Sequence, residues 1–458
     1  MSLTISAAQV DALIANPSSI TGYSSSGPII ITGAITHTQA SNLNTVDATY
    51  IQATVSETTL ANLANISVGN STRSSLNKFS FTVSDTSSTA TALSSAQAKT
   101  SVSVDASNVA SITSSTSSSI QTLFTGTVPS GLGAVPITVS DTAPAATALE
   151  AINQFTTGKV TASATGLTGL AADVKAVLAL ADGVVQIAGN VNVVLTDTNI
   201  DAVDLNAVDA ATTGTLTTSA TTITGTGSAV NTALTSNASV AVNSIEGLDA
   251  VNAVLDDPST TGTQAEAVAA VRLVMNKTTG KVTATISEGD VDSLTNATNG
   301  VTGTGHSLTM TVTDTGITAA ELNALNATTT VNIVLDPAGT DNPIGVESSA
   351  YSDVLTAFQS SGLTGLSTAP VIVSGNISVA QANTLDALTS GSITATISNS
   401  SIAELNTLTG TGNAYSVVVG DITVNAADIN SLVLKTTVAP TVNAVTTFTG
   451  TLDALNTF

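Results

Sequence analysis

The chain has no cysteine, no tryptophan, only seven Phe and four Tyr, and nine Lys and Arg in 458 residues. Each shortage closes a set of options. Without Cys there are no disulfides, no thiolate metal sites and no cysteine nucleophile. With aromatics at 2%, burial has to come from aliphatic side chains in thin, regular layers rather than from bulky anchors. Against 32 Asp and Glu the nine cations leave a formal charge of −23 and an isoelectric point near 4.1. That balance disfavours nucleic acid and anionic membrane surfaces as partners. The cations (Arg73, Lys78, Lys99, Lys159, Lys175, Arg272, Lys277, Lys281 and Lys435) are scattered, so no basic patch can be drawn.

Targeting and membrane signals are also missing. The opening Met1-Ser2-Leu3-Thr4-Ile5 shows no basic segment leading to an apolar run and a small-residue cleavage site, so no cleavable signal peptide is expected. Mean hydropathy is +0.38. Yet the most apolar region, 170–195, is interrupted by Asp173, Lys175, Asp182 and Asn190, and no transmembrane helix is expected.

What is present is a core-forming aliphatic content of 42% apolar residues, which separates the chain from disordered acidic tails. It is distributed with a period. Apolar runs end in small polar turns at Val83-Ser84-Asp85-Thr86, Val139-Ser140-Asp141-Thr142, Leu195-Thr196-Asp197-Thr198 and Val312-Thr313-Asp314-Thr315. The intervals between their aspartates are 56, 56 and 117. A finer period follows from strand ends at Ile286, Val312, Leu335, Val373, Ile397, Val419 and Val442, spaced by 26, 23, 38, 24, 22 and 23 residues. The excess after Leu335 contains Asp336-Pro337-Ala338-Gly339-Thr340-Asp341 and reads as a loop insertion near 336–350.

Within a period the pattern switches. In Val282-Thr283-Ala284-Thr285-Ile286 apolar residues alternate, as in a half-buried strand, whereas Ile402, Leu405 and Leu408 recur every three residues, as on one helix face. Turn residues such as Asp314 or Thr315 are expected to cap the helix that follows at Ala319. Such helices, for example 380–388 and 426–432, are too short to stand alone. Longer ones are expected at 145–155, 170–181 and 264–276, which makes enlarged helical coils near 142–183 and 247–278. Strands joined by helices should run parallel with right-handed crossovers. The expected fold is therefore an α/β solenoid of stacked strand, turn and short-helix coils of about 22–26 residues, leucine-rich-repeat-like in architecture, forming one elongated body over 1–458.

Chemistry-bearing constellations are few. His37 and His306 lie far apart and belong to no metal-ligand spacing. Gly225-Thr226-Gly227, Gly303-Thr304-Gly305 and Gly410-Thr411-Gly412 lack the third Gly or the Lys that phosphate loops need, and read as turns. No G-x-S-x-G elbow occurs, and no catalytic pair of acids is suggested, so the reading expects no enzyme. Calcium is the one cofactor considered, with Asp336, Asp341, Asp256 and Asp257 as candidate ligands, although no EF-hand loop or GGxGxD array is present. Thr283/Thr285, Thr309/Thr311 and Thr394/Thr396 suggest an ice-binding ladder that 331–335 and 371–373 break. Asn44, Asn206, Asn323, Asn406 and Asn456, each after Leu, are candidates for an amide ladder.

The turns before alanine- and leucine-rich helices, at Ser84-Asp85-Thr86, Ser140-Asp141-Thr142 and Thr313-Asp314-Thr315, resemble repeats of large secreted bacterial surface proteins of the surface-layer and adhesin types. The resemblance implies export, commonly by type I systems with an uncleaved C-terminal signal, an extracellular or cell-surface location, and calcium. The glycine-aspartate nonapeptides of many such proteins are absent here.

Neither end reads as a polar capping repeat. A second copy placed after the first would set its Ile5 21 residues beyond Val442, close to one coil. The expectation is a structural protein whose copies stack head to tail into an extracellular filament or lattice. The alternative is a monomeric stalk or adhesin whose loops bind a glycan or a cell, with Tyr23, Tyr50, Tyr351 and Tyr415 as the available tyrosines. A polysaccharide-acting enzyme ranks behind both.

Overall fold

The structure, a computed structural model, describes residues 1–68, 76–180, 184–237, 244–256, 266–336 and 344–457. It is an α/β protein of short parallel sheets and short helices. The chain divides into two compact units, one made of Met1–Ile200, Asp204–Ala220 and Ser236–Gly247, the other of Asp201–Val203, Thr221–Thr235 and Leu248–Phe458.

In the first unit the strands Leu3–Ser6, Ile29–Ile35, Ile51–Val55 and Lys78–Ser80 lie side by side in chain order. Leu3 pairs with Ile29, Ile29 with Ile51, and Gln52 with Lys78, so the register steps match the spacing of the apolar runs. A second sheet runs from Ser87–Ser88 through Ser111–Ser115, Ile137–Val139 and Val160–Ala162 to Val185–Gln186. A third holds Gly166–Gly169, Asn192–Leu195, Leu216–Thr218 and Ile245–Glu246. Period-2 burial follows directly from the sequence: Ile51, Ala53 and Val55 are buried while Gln52 and Thr54 face outward. Helices cover the strands, and neighbouring helices pack in chain order, with Phe124 and Phe155 stacked at a centroid distance of 4.9 Å.

In the second unit Thr222–Gly225, Asn252–Leu255, Val282–Thr285 and Ser307–Thr309 form one ladder. Thr311–Val312, Ile333–Leu335 and Leu363–Thr364 form another. Gly316–Thr318, Gly345–Ala350, Val371–Ile377, Ile393–Ile397 and Ala414–Ser416 form a third, and Thr423–Asn425 pairs with Thr447–Thr449. Among the described residues every strand pairing is parallel, as helical crossovers require.

Three expectations change. The polar turn after Val312 does not lead straight into a helix: Gly316–Thr318 is a second strand in a different sheet, and the helix Ala319–Thr328 starts after it. Thr318, not Asp314 or Thr315, caps that helix, closing a capping box with Glu321. The insertion near 336–350 is not all loop either, because Gly345–Ala350 is a strand paired with Gly316–Thr318 and Val371–Ile377; residues 337–343 lie outside the described residues. Ten-residue helices occur at Ala146–Phe155, inside the expected enlarged regions, but also at Ala202–Ala211, Gly227–Ser236 and Ala319–Thr328. No helix among the described residues is long and apolar enough to cross a membrane.

Candidate functional site

Seven acids of this chain share one structural task. A helix leaves its first backbone N–H groups without internal partners. Here a local Thr takes the third: Thr59 accepts from Asn62, Thr116 from Ser119 and Thr318 from Glu321. The first N–H is met by a side chain from the next strand-and-helix segment. Asp85 accepts from Leu60 (2.7 Å), Asp141 from Ser117 (2.6 Å), Asp197 from Ala171 (2.8 Å), Asp314 from Val291 (2.9 Å) and Asp421 from Ile402 (2.6 Å). Glu57 accepts from His37 (3.1 Å) and Glu266 from Gly227 (2.8 Å). Ser115, Ser349 and Asn399 do the same for Ala90, Ala319 and Val379. A carboxylate there also faces the positive end of the helix dipole.

Two of these acids titrate away from the ordinary carboxylate range. Hydrogen bonds from the His37 side chain and backbone hold Glu57 down, its carboxylate also meeting His37 Nδ1. Burial pushes Asp314 up, and the charge of Asp290 adds to the shift.

At the start of the strands a second set of side chains acts across segments. Asn77 Oδ1 accepts from the N–H of Ile51 and Asn413 Oδ1 from that of Ile393, each at 2.8 Å. His306 Nδ1 occupies the same role for Val282 at 3.1 Å, and Thr329 and Thr436 for Leu308 and Tyr415, each at 2.9 Å. Burial, then the positive charge of Lys281, hold the His306 imidazole below its ordinary value.

A related signal went unread in the sequence: Thr156-Thr157-Gly158, Thr212-Thr213-Gly214, Thr278-Thr279-Gly280 and Thr389-Ser390-Gly391. In each, the buried first Thr donates to a carbonyl of the preceding segment and accepts from the Gly N–H two residues on. Gly is needed because that backbone runs against its neighbour: a Cβ on Gly214 would lie 2.3 Å from the Val191 carbonyl oxygen.

Asp336 is exposed and Asp256 half-buried, their N–H groups bonded to Val312 and Gly225 carbonyls; Asp257 and Asp341 lie outside the described residues. Among the described residues no three His, Asp or Glu side chains gather around a metal-sized position. The Gly225-Thr226-Gly227 turn does open a helix, and its first N–H is taken by the Glu266 carboxylate at 2.8 Å. Of the threonine pairs, Thr283 and Thr285 lie opposite Ser307 and Thr309, while exposed Val254 stands beside Thr283 and exposed Val334 and Ile372 interrupt the other sheets. The asparagines reach forward rather than stack amide on amide throughout: Asn323 donates to the Asp353 carbonyl at 2.9 Å and Asn44 to that of Ser67, while Asn77 donates to Asn44 Oδ1 at 2.7 Å. Tyr415 is wholly buried, and Tyr23, Tyr50 and Tyr351 are half-buried on separate segments.

No protein-family model and no curated protein matches this chain.

Proposed function

We propose that the chain is a non-enzymatic, extracellular structural protein, built of stacked strand-and-helix coils as an α/β solenoid and assembling head to tail into a filament or surface lattice. The observation that carries the structural role is where the acids are used. Six carboxylates, those of Asp85, Asp141, Asp197, Glu266, Asp314 and Asp421, are bound to backbone N–H groups of the preceding coil, at sequence separations of 19 to 39 residues.

Assembly is supported by exposed apolar surface. Phe448 is only half-buried, and Leu452 and Leu455 on the helix Leu452–Thr457 are 81% and 38% exposed. Among the described residues the strand Thr447–Thr449 is paired with Thr423–Asn425 alone. Exposed apolar surface of this kind is stabilised by burial, here against another copy. Negative-stain microscopy and sedimentation across a concentration series test the reading. Filaments or sheets that grow with concentration are expected; monodisperse monomers throughout, with and without calcium, would overturn it.

A further inference from the structure

The aspartates that reach back follow a rule that involves two coils. Asp85, Asp141, Asp197, Asp314 and Asp421 each stand five residues before the first residue of their own helix, and that residue is Ala every time: Ala90, Ala146, Ala202, Ala319 and Ala426. The next coil always carries Ser or Gly two residues before its helix, at Ser115, Gly169, Gly225, Ser349 and Gly450. Both serines accept the Ala N–H, Ser115 from Ala90 at 2.8 Å and Ser349 from Ala319 at 2.9 Å. The glycines have φ of +155°, +140° and +135° and lie so close to the Ala that a Cβ on Gly169 or Gly225 would stand 3.3 Å from the Ala146 or Ala202 Cβ.

We infer that adjoining coils carry a matching code: an acid-and-alanine coil fits only between a helix whose first N–H is free for its carboxylate and a coil with a small residue to lie on its alanine. The contact surfaces of the two coil types are thus unlike, and the pair is the unit of order. The 56-residue interval between Asp85, Asp141 and Asp197 is then two coils long because one coil cannot follow its own kind. Where Glu57, Glu266 and Asn399 supply the acceptor instead, the helix they serve starts with His37, Gly227 or Val379, and the spacing to their own helix differs. The code rests on the stacked-coil reading but needs no filament.

A double-mutant cycle tests it within the full chain. Ser117→Pro removes the N–H donor at the first helical position, where Pro is tolerated, and Thr116 before it is already extended at φ −68°, ψ 151°. Asp141→Ala removes the acceptor. Amide exchange over 117–124 is expected to rise about five- to tenfold in Asp141→Ala, and to show no further rise when Asp141→Ala is added to Ser117→Pro. Equal effects of Asp141→Ala in both backgrounds would overturn the pairing. The small-residue half is read separately: Ala146→Val, crowding Gly169, should raise exchange over 171–179 as well as 146–155, and an effect confined to 146–155 would sink the two-sided rule. Absence of filaments in any variant bears on assembly alone.

Discussion

His306 does with an imidazole what Asn77 and Asn413 do with an amide, and the difference is titratable. Nδ1 accepts the Val282 N–H only while the ring is neutral, and the folded value lies below the ordinary 6.5. The folded protein therefore binds fewer protons at this site than the unfolded chain. Its contribution is present above about pH 6.5 and falls as pH drops toward the lowered folded value. Thermal melts between pH 7.5 and 5 should show this loss, and His306→Asn, which keeps an acceptor, should flatten it; an unchanged pH slope in that variant would refute the assignment. At Gly214 the constraint is steric instead. Gly214→Ala forces a methyl onto the Val191 carbonyl, and a loss of about 2–4 kcal/mol in denaturant unfolding is expected, whereas Gly133→Ala, with open space around it, should cost under about 1 kcal/mol.

At the scale of elements, the alternation from Val282 falls on the strand Val282–Thr285 and the three-residue spacing from Ile402 begins on the helix Ile402–Leu405, because the two periods leave different marks on a short stretch. The parallel pairing follows from the helices between strands. Strand Gly316–Thr318 was not legible, since three residues containing Gly carry no period of their own. Nor was the direction of the aspartates: a cap is ordinarily local, and nothing in Thr313-Asp314-Thr315 says that its partner is Val291, 23 residues earlier. The two roles separate by substitution. Thr318→Ala should destabilise Ala319–Thr328 by about 1 kcal/mol, while Asp314→Ala should loosen Val291–Leu294 and leave Ala319–Thr328 nearly unaffected. Segment-resolved hydrogen exchange distinguishes them, and the reverse pattern would restore Asp314 as a cap of its own helix.

For the whole molecule, charge and apolar surface oppose each other. A formal charge of −23 repels copies, while burial of Leu452 and Leu455 would favour contact, so the proposed assembly should strengthen as salt rises from about 0.01 to 0.15 M and the screening length shortens. Leu452→Asp with Leu455→Asp should abolish it in sedimentation at any salt without lowering the melting temperature by more than a few degrees; wild-type assembly in that variant would move the contact elsewhere. The uniform sense of the described strand pairings adds a directional consequence. The two edges of a parallel sheet are different surfaces, so a polymer of the proposed kind would have unlike tips. It would elongate faster from one than from the other, and a trace of copies blocked at a single tip would be enough to halt it.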